Sequence, residues 1–185
     1  MTDKARFERL TLPHMDAAYN LASHLLQTRA DAEDAVQDAF VRAYRAFHQF
    51  EGADIRPWLL TIVRNVCFRR LQERRRADNV VSLDEVSSRS TGAAFEADMA
   101  SADRSPEQTA IASSDQALLA HAMAELPPVF REVIVLREIE DLSYREIAGV
   151  IGTPVGTVMS RLARARTELK AILNRMTNQD DRNAM

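Results

Sequence analysis

Apolar side chains recur every three or four positions along most of this chain, the spacing of helices that bury one face. From Asp31 to Phe47, Ala32, Ala35, Val36, Ala39, Phe40, Ala43, Tyr44 and Phe47 keep it without a gap. Asp31 is the expected N-cap, with acids in the first turns that suit the helix dipole. A rougher stripe of Phe7, Leu10, Met15, Ala18, Leu21, Ala22, Leu25 and Leu26 predicts a helix over Arg6–Gln27, kinked at Pro13. After the loop Glu51–Asp54, Pro57 suits the first turn of a third helix, which runs to about Arg76. Trp58, Ile62, Val66 and Leu71 are its expected inward face.

The period fades from Ala77 to Ser105, where Ser, Thr, Ala, Asp and Glu dominate. That composition predicts a flexible linker, with Val80–Leu83 its one apolar spot. Helical spacing returns over Pro106–Glu125, breaks at Leu126-Pro127-Pro128, and resumes in a short apolar helix, Val129–Arg137. Ser143-Tyr144-Arg145-Glu146 has the form of a capping box, opening a helix that stops at Gly152. Thr153-Pro154 offers an N-cap followed by proline for a last helix to about Leu173, with a frayed polar tail beyond. The expected fold is therefore all-α. It comprises an N-terminal helical bundle (1–79) and a C-terminal helix-turn-helix domain (113–176). A flexible acidic linker (80–112) joins them, and a disordered tail (177–185) follows.

Composition changes the picture in three ways. The 185 residues include 5 Gly and 6 Pro, too few for a fold rich in tight turns. One cysteine excludes an internal disulfide and any Cys-pair zinc site, and His14, His24, His48 and His121 have no metal-ligand spacing. No catalytic constellation, phosphate loop, metal site or cofactor is expected, and Cys67 fits a core thiol better than a nucleophile. No apolar run is long enough for a membrane span, and no signal-peptide core follows the charged N-terminus, so the expected compartment is the cytoplasm.

Net charge is −3, which makes the whole chain a poor polyanion binder. Its distribution is uneven. Asp31–Asp38 carries four acids and no base, Arg64–Arg76 carries six Arg and one acid, and residues 80–115 hold two bases and seven acids. In the last helix Val158, Leu162, Ala165 and Leu169 form a core stripe, leaving Gly156, Thr157, Ser160, Arg161 and Arg164 opposite it. Small residues followed by Ser, Thr and Arg suit a helix end that enters a major groove. An ordinary hairpin with a solvated basic face has the same pattern. Phe50 and Asn65, beside arginines, suit capture of an unstacked base. A core phenylalanine and a surface amide would look alike.

Three stretches carry a resemblance. They are Asp31-Ala-Glu-Asp-Ala-Val-Gln-Asp-Ala-Phe40, then Trp58-Leu-Leu-Thr-Ile-Val-Arg-Asn65 with its arginine run, and Leu126-Pro-Pro-Val-Phe-Arg-Glu-Val-Ile followed by Leu142–Ala148 and Pro154–Arg166. In this order they resemble the extracytoplasmic-function group of bacterial RNA polymerase sigma factors. The resemblance implies that Asp34, Gln37 and Asp38 dock on the clamp helices of the polymerase largest subunit. It implies that Phe50 and Asn65, with Arg64 and Arg69, serve the −10 promoter element, a flipped base being held by the first two. It assigns Arg137, Pro154, Gly156, Thr157, Ser160, Arg161 and Arg164 to the −35 element. Implied partners are core RNA polymerase (clamp helices and flap), promoter DNA and an anti-sigma factor. No small-molecule substrate and no membrane insertion are implied. The loop Glu51–Arg56 is more acidic than is usual in this family. A conventional dimeric helix-turn-helix regulator is the competing reading, and it leaves the first two stretches unexplained.

Overall fold

The computed structural model describes residues 3–81 and 106–183. The regular elements among these residues are all helical, with no strand. The first half comprises α1 (Asp3–Thr11), α2 (Met15–Leu26), α3 (Arg29–Ala46) and α4 (Ile55–Val81). Short 3₁₀ turns, Leu12–His14 and Phe47–Gln49, follow α1 and α3. The second half comprises α5 (Pro106–Glu125), α6 (Pro128–Ile134), α7 (Tyr144–Ile151) and α8 (Val155–Asn183). A π-helical turn, Val135–Ile139, extends α6. The expected all-α class stands.

Small side chains bring the first three long helices together. Ala32, Ala35, Ala39 and Ala43 are fully buried along one side of α3, which packs on α2 and α4. Leu21, Leu25, Leu59, Leu60 and Val63 fill the space they enclose. Burying side chains of this size stabilises by about 1.5–3 kcal/mol each. Phe7 docks α1 edge-on against Phe40, Tyr44 and Phe47. In the second half Leu126, Val133, Val135, Leu136, Leu142 and Ile147 are buried between α6, α7 and α8.

Local chemistry explains the boundaries. Pro13 lies in the 3₁₀ turn, so the expected kink is a full break between α1 and α2. α2 ends on Gln27 in the left-handed region (φ 63°), whose N–H bonds to Ser23 O at 2.9 Å. Thr28, not Asp31, is the N-cap of α3. Its side chain accepts the Asp31 N–H, while Asp31 lies one turn in and pairs with Arg74. The capping box at α7 is as expected, with Ser143 and Glu146 bonding reciprocally, and Gly152 (φ 67°) closes the helix. Thr153 does not cap α8. Its Oγ1 is buried without a hydrogen-bond partner, and the first α8 amides bond to Pro154 O instead.

Other expectations need correction. The helix after α5 stops at Ile134, because the Glu140 N–H bonds back to Val135 O and winds Val135–Ile139 into a π turn. α4 starts two residues before Pro57 and reaches Val81, and α5 starts at Pro106, so both ends of the expected flexible linker 80–112 are helical. Residues 82–105, including Ser82 and Leu83, lie outside the described residues. The expected disordered tail is helical through Asn183. The inward face of α4 is Leu59, Leu60, Val63, Val66 and Cys67, whereas Trp58, Ile62 and Leu71 are half-buried. Cys67 lies in the core, where burial pushes its thiol up to about 12. That makes it inert at neutral pH.

The two halves pack together, α4 against α7 and α2 against α6. No helix among the described residues is long and apolar enough to cross a membrane.

Candidate nucleic-acid and polymerase interface

Phe50 follows the 3₁₀ turn after α3 and is half-buried. Its ring stacks on Phe47 (6.3 Å between centroids, 12° between planes) and tilts against Trp58 at 5.2 Å. A Cβ at Gly52 would meet Phe50 Cε2 at 2.9 Å, so a larger residue would push the ring away. Trp58 and Asn65 lie seven residues apart on α4, two turns or about 10.5 Å along one face. Asn65 is exposed, and its Oδ1 accepts a long 3.4 Å bond from Arg64 Nη1. The result is an aromatic shelf with an exposed amide two turns away, a combination able to stack a base and bond its edge. Arg69 is exposed on the next turn.

Arg64 points elsewhere. Its Nε donates to Glu132 Oε2 at 2.6 Å and its Nη2 to Glu132 Oε1 at 3.3 Å. Its guanidinium also lies over the Phe68 ring at 4.4 Å. Arg161 approaches the same carboxylate at 3.6 Å. One predicted −10 residue and one predicted −35 residue thus meet on a fully buried glutamate of α6. Burial raises the Glu132 carboxyl above its ordinary value, against the pull of Arg64 and Arg161.

Two further buried charges join the halves. Glu140, turned by the π segment, accepts from Asn20 Nδ2 at 3.0 Å and from Arg56 Nη2 at 2.6 Å. Arg131 reaches the C-terminal ends of two helices. It donates to His24 O (2.6 Å) and Leu25 O (3.4 Å) of α2, and to Ala124 O (2.7 Å) and Leu126 O (2.6 Å) at the end of α5. Helix C-termini leave carbonyls unpaired and carry partial negative charge, so a guanidinium there is doubly suited. Burial lowers Arg131 to about 10, still charged at neutral pH. The beginning of α6, apolar apart from Arg131-Glu132, gave no sequence motif for this clasp. A charged pair inside an apolar run was its only trace.

The other predicted residues divide. On α3, Asp34 and Gln37 are exposed and Asp38 is half-buried. Asp38 pairs with Arg42 at 2.8 Å, and Asp34 lies 3.9 Å from Arg70. In the second half Pro154, Gly156, Ser160 and Arg164 are exposed along the start of α8, with Thr157 half-buried among them. Ser160 Oγ bonds to Thr157 O within the helix. Arg137 is half-buried and engaged within its own half. It donates to Leu142 O at 2.9 Å, lies 3.6 Å from Asp141 and sits over Tyr144 at 5.4 Å, bracing the turn into α7.

Comparison with known proteins gives this arrangement a family. The model of sigma-70 region 2 matches residues 10–77, and that of sigma-70 region 4 matches 116–169. The chain is 34% identical over 175 residues to the RNA polymerase sigma-H factor of Pseudomonas aeruginosa, covering 92% of this chain and 88% of that one. It is 32% identical over 167 residues to the ECF RNA polymerase sigma-E factor of Escherichia coli K12, covering 89% and 84%. It is 33% identical over 178 residues to the ECF RNA polymerase sigma factor SigE of Mycolicibacterium smegmatis, covering 96% of this chain but 65% of the longer relative. Among solved structures, the sigma factor RpoE bound to the anti-sigma factor NepR from Bartonella quintana superposes with a TM-score of 0.72 at 27% identity, over 91% of this chain and 97% of that one. CnrH in complex with the cytosolic domain of CnrY gives 0.61 at 26%, over 92% and 89%. With both sigma-70 regions in order and relatives matched over most of their length, the chain belongs to the extracytoplasmic-function group of the sigma-70 family.

Proposed function

We propose that this chain is a promoter-specificity factor of RNA polymerase that acts in the cytoplasm and performs no catalysis itself. The observation that carries this reading is the pairing of the Phe47–Phe50–Trp58 shelf in one half with the exposed small-residue start of α8 in the other. On this reading Asp34, Gln37 and Asp38 dock on the clamp helices of core polymerase. Phe50 and Asn65 take an unstacked base of the −10 element, with Arg69 along the backbone. Pro154, Gly156, Thr157, Ser160, Arg161 and Arg164 face the −35 duplex, and Arg137 supports that face through the turn it braces.

The energetics support division of labour. A protein of net charge −3 binds duplex weakly alone, because phosphate neutralisation supplies most non-specific affinity. Mounted on polymerase it need not do so. Extruding a base costs a few kcal/mol, and each stacked base returns about 1–3. Capture of the exposed base can therefore help hold the strands open without nucleotide hydrolysis.

The packed halves represent a closed form. Elements centred near −35 and −10 lie about 25 base pairs apart, about 85 Å at 3.4 Å per pair. Arg64 and Arg161 share one carboxylate here, so reading both elements requires the halves to separate. A partner that holds them in this form would keep the factor inactive. An anti-sigma factor is the fitting class: in the similar structures RpoE is bound to the anti-sigma factor NepR, and CnrH to the cytosolic domain of CnrY.

Run-off transcription from a sheared genomic library, with core polymerase and with or without this chain, tests the reading. Discrete new start sites, with weak binding of duplex by the free chain, are expected. Tight sequence-specific duplex binding without new transcripts would make it a conventional helix-turn-helix regulator.

A further inference from the structure

A groove of about 520 Å³ runs beside the aromatic shelf, away from the seam between the halves. Arg6, Arg9, Leu10, Pro13 and His14 form one wall, from α1 and the 3₁₀ turn; Phe50, Gly52, Ala53, Asp54 and Ile55 form the other. The volume is of the size that accepts a small organic ligand. Its polar lining is chiefly basic. Arg6 is positioned over the Phe47 ring at 5.4 Å, which links it through the Phe47–Phe50 stack to the shelf. Arg9 is exposed and has no acidic partner among the described residues, and Glu8 of the same helix faces Lys4 instead. The acid in the lining, Asp54, uses Oδ1 to accept the Arg56 N–H at 2.9 Å. Two guanidinium groups and an imidazole therefore face one carboxylate that is already engaged.

Forked donors at a concave site suit phosphate oxygens. The shared wall is decisive for which phosphate. Phe50 belongs both to the groove and to the shelf, so anything stacked on Phe50 would extend its backbone toward Arg6 and Arg9. We infer that the groove holds the sugar and phosphate of the nucleotide adjoining the base captured on Phe50, with Arg6 and Arg9 making the phosphate contacts. This rests on the base-capture reading of Phe50. Single-stranded DNA is the ligand, because only an unstacked strand can place a base on the shelf and its phosphate in the groove together.

The test uses polymerase reconstituted with the full-length chain and binds it to a pre-melted promoter template and to the same promoter as intact duplex. Removing two single-strand phosphate contacts lowers the slope of log affinity against log salt by about 1.4. The R6A/R9A double variant should show that change, with about a tenfold loss on the pre-melted template. Its affinity for core polymerase and for duplex should be unchanged, and R6K/R9K, which keeps both charges but loses the forks, should restore the salt slope and recover part of the loss. A parallel Phe50→Ala separates the two ideas. Loss with Phe50→Ala but none with R6A/R9A overturns the groove proposal alone. No loss with either overturns base capture as well. Equal losses by R6A/R9A on melted template, duplex and core polymerase would mean a damaged α1, and would overturn the proposal unless R6K/R9K restored only the melted template.

Discussion

The two halves solve burial differently. Among the described residues of the N-terminal half the buried polar ones are Thr11 and Ser23, both bonded to carbonyls of their own helices. Everything else at its centre is aliphatic, aromatic or the Cys67 thiol. The C-terminal half buries Arg131, Glu132 and Glu140, and all three reach into the other half. Apolar packing runs as one cluster through both units, and the buried charges are concentrated where the units meet. The distinction matters for separation. An apolar seam loses its burial energy when it opens. Buried charges regain hydration when a seam opens, which offsets part of what the lost pairing and apolar burial cost. Charges buried at the seam suit a molecule whose halves are held together at one time and parted at another.

The sharpest way to break this contrast is at Arg131. Arg131→Met preserves bulk but leaves the carbonyls of His24, Leu25, Ala124 and Leu126 without that donor. A loss of about 3–5 kcal/mol is expected in chemical denaturation. A loss below about 1 kcal/mol would mean that the seam is held by apolar contact after all.

His24 offers a gentler probe at the same place. Burial, then the nearby Arg131 charge, lowers its pKa from 6.5 to about 4, with Glu140 opposing. The imidazole is neutral in the folded protein and protonates more readily when unfolded. Between pH 6.5 and 4 the unfolded state therefore binds more protons, and stability falls as pH falls. The full effect is about 3 kcal/mol. His24→Gln should flatten that part of the stability–pH curve relative to the parent chain. A curve of unchanged steepness would remove His24 from the seam's acid sensitivity.

Gly52→Ala addresses the apolar half. The added Cβ presses on the edge of Phe50, a ring free enough to tilt, so less than about 1 kcal/mol of stability is expected to be lost. Promoter opening by the reconstituted polymerase should nevertheless slow several-fold, since the shelf is misaligned, while binding to core polymerase holds. Unaltered opening would show that the ring's placement is not critical.

Much of this was legible in the sequence, and the failures have physical causes. The capping box at Ser143 and Glu146 was readable because both partners lie within one turn. Thr28 was passed over for Asp31 because either can cap a helix, and only the backbone distinguishes them. The face of α4 was misread because this helix is packed by α2 and α3 on one side and α7 on another. Its apolar positions therefore cover more than one stripe. The exposed face of α8 was clear from its 3.6-residue period. That Arg64 and Arg161 converge on Glu132 was not, since a pairing 68 residues apart in sequence depends on how two units dock. The resemblance implied a −35 role for Arg137; the contacts it makes with Leu142, Asp141 and Tyr144 could not be foreseen, because they depend on the turn that the π segment sets up.

The Arg131 clasp also has a consequence in time. Arg131 is separated from the α2 carbonyl it binds by 107 residues. At translation rates of about 5–20 residues per second, the end of α2 precedes its clasp by about 5–20 seconds. Every newly made chain thus passes through a stage in which the α2 carbonyls are made and their clasp is not. A partner waiting near the ribosome would meet that end of α2 uncovered.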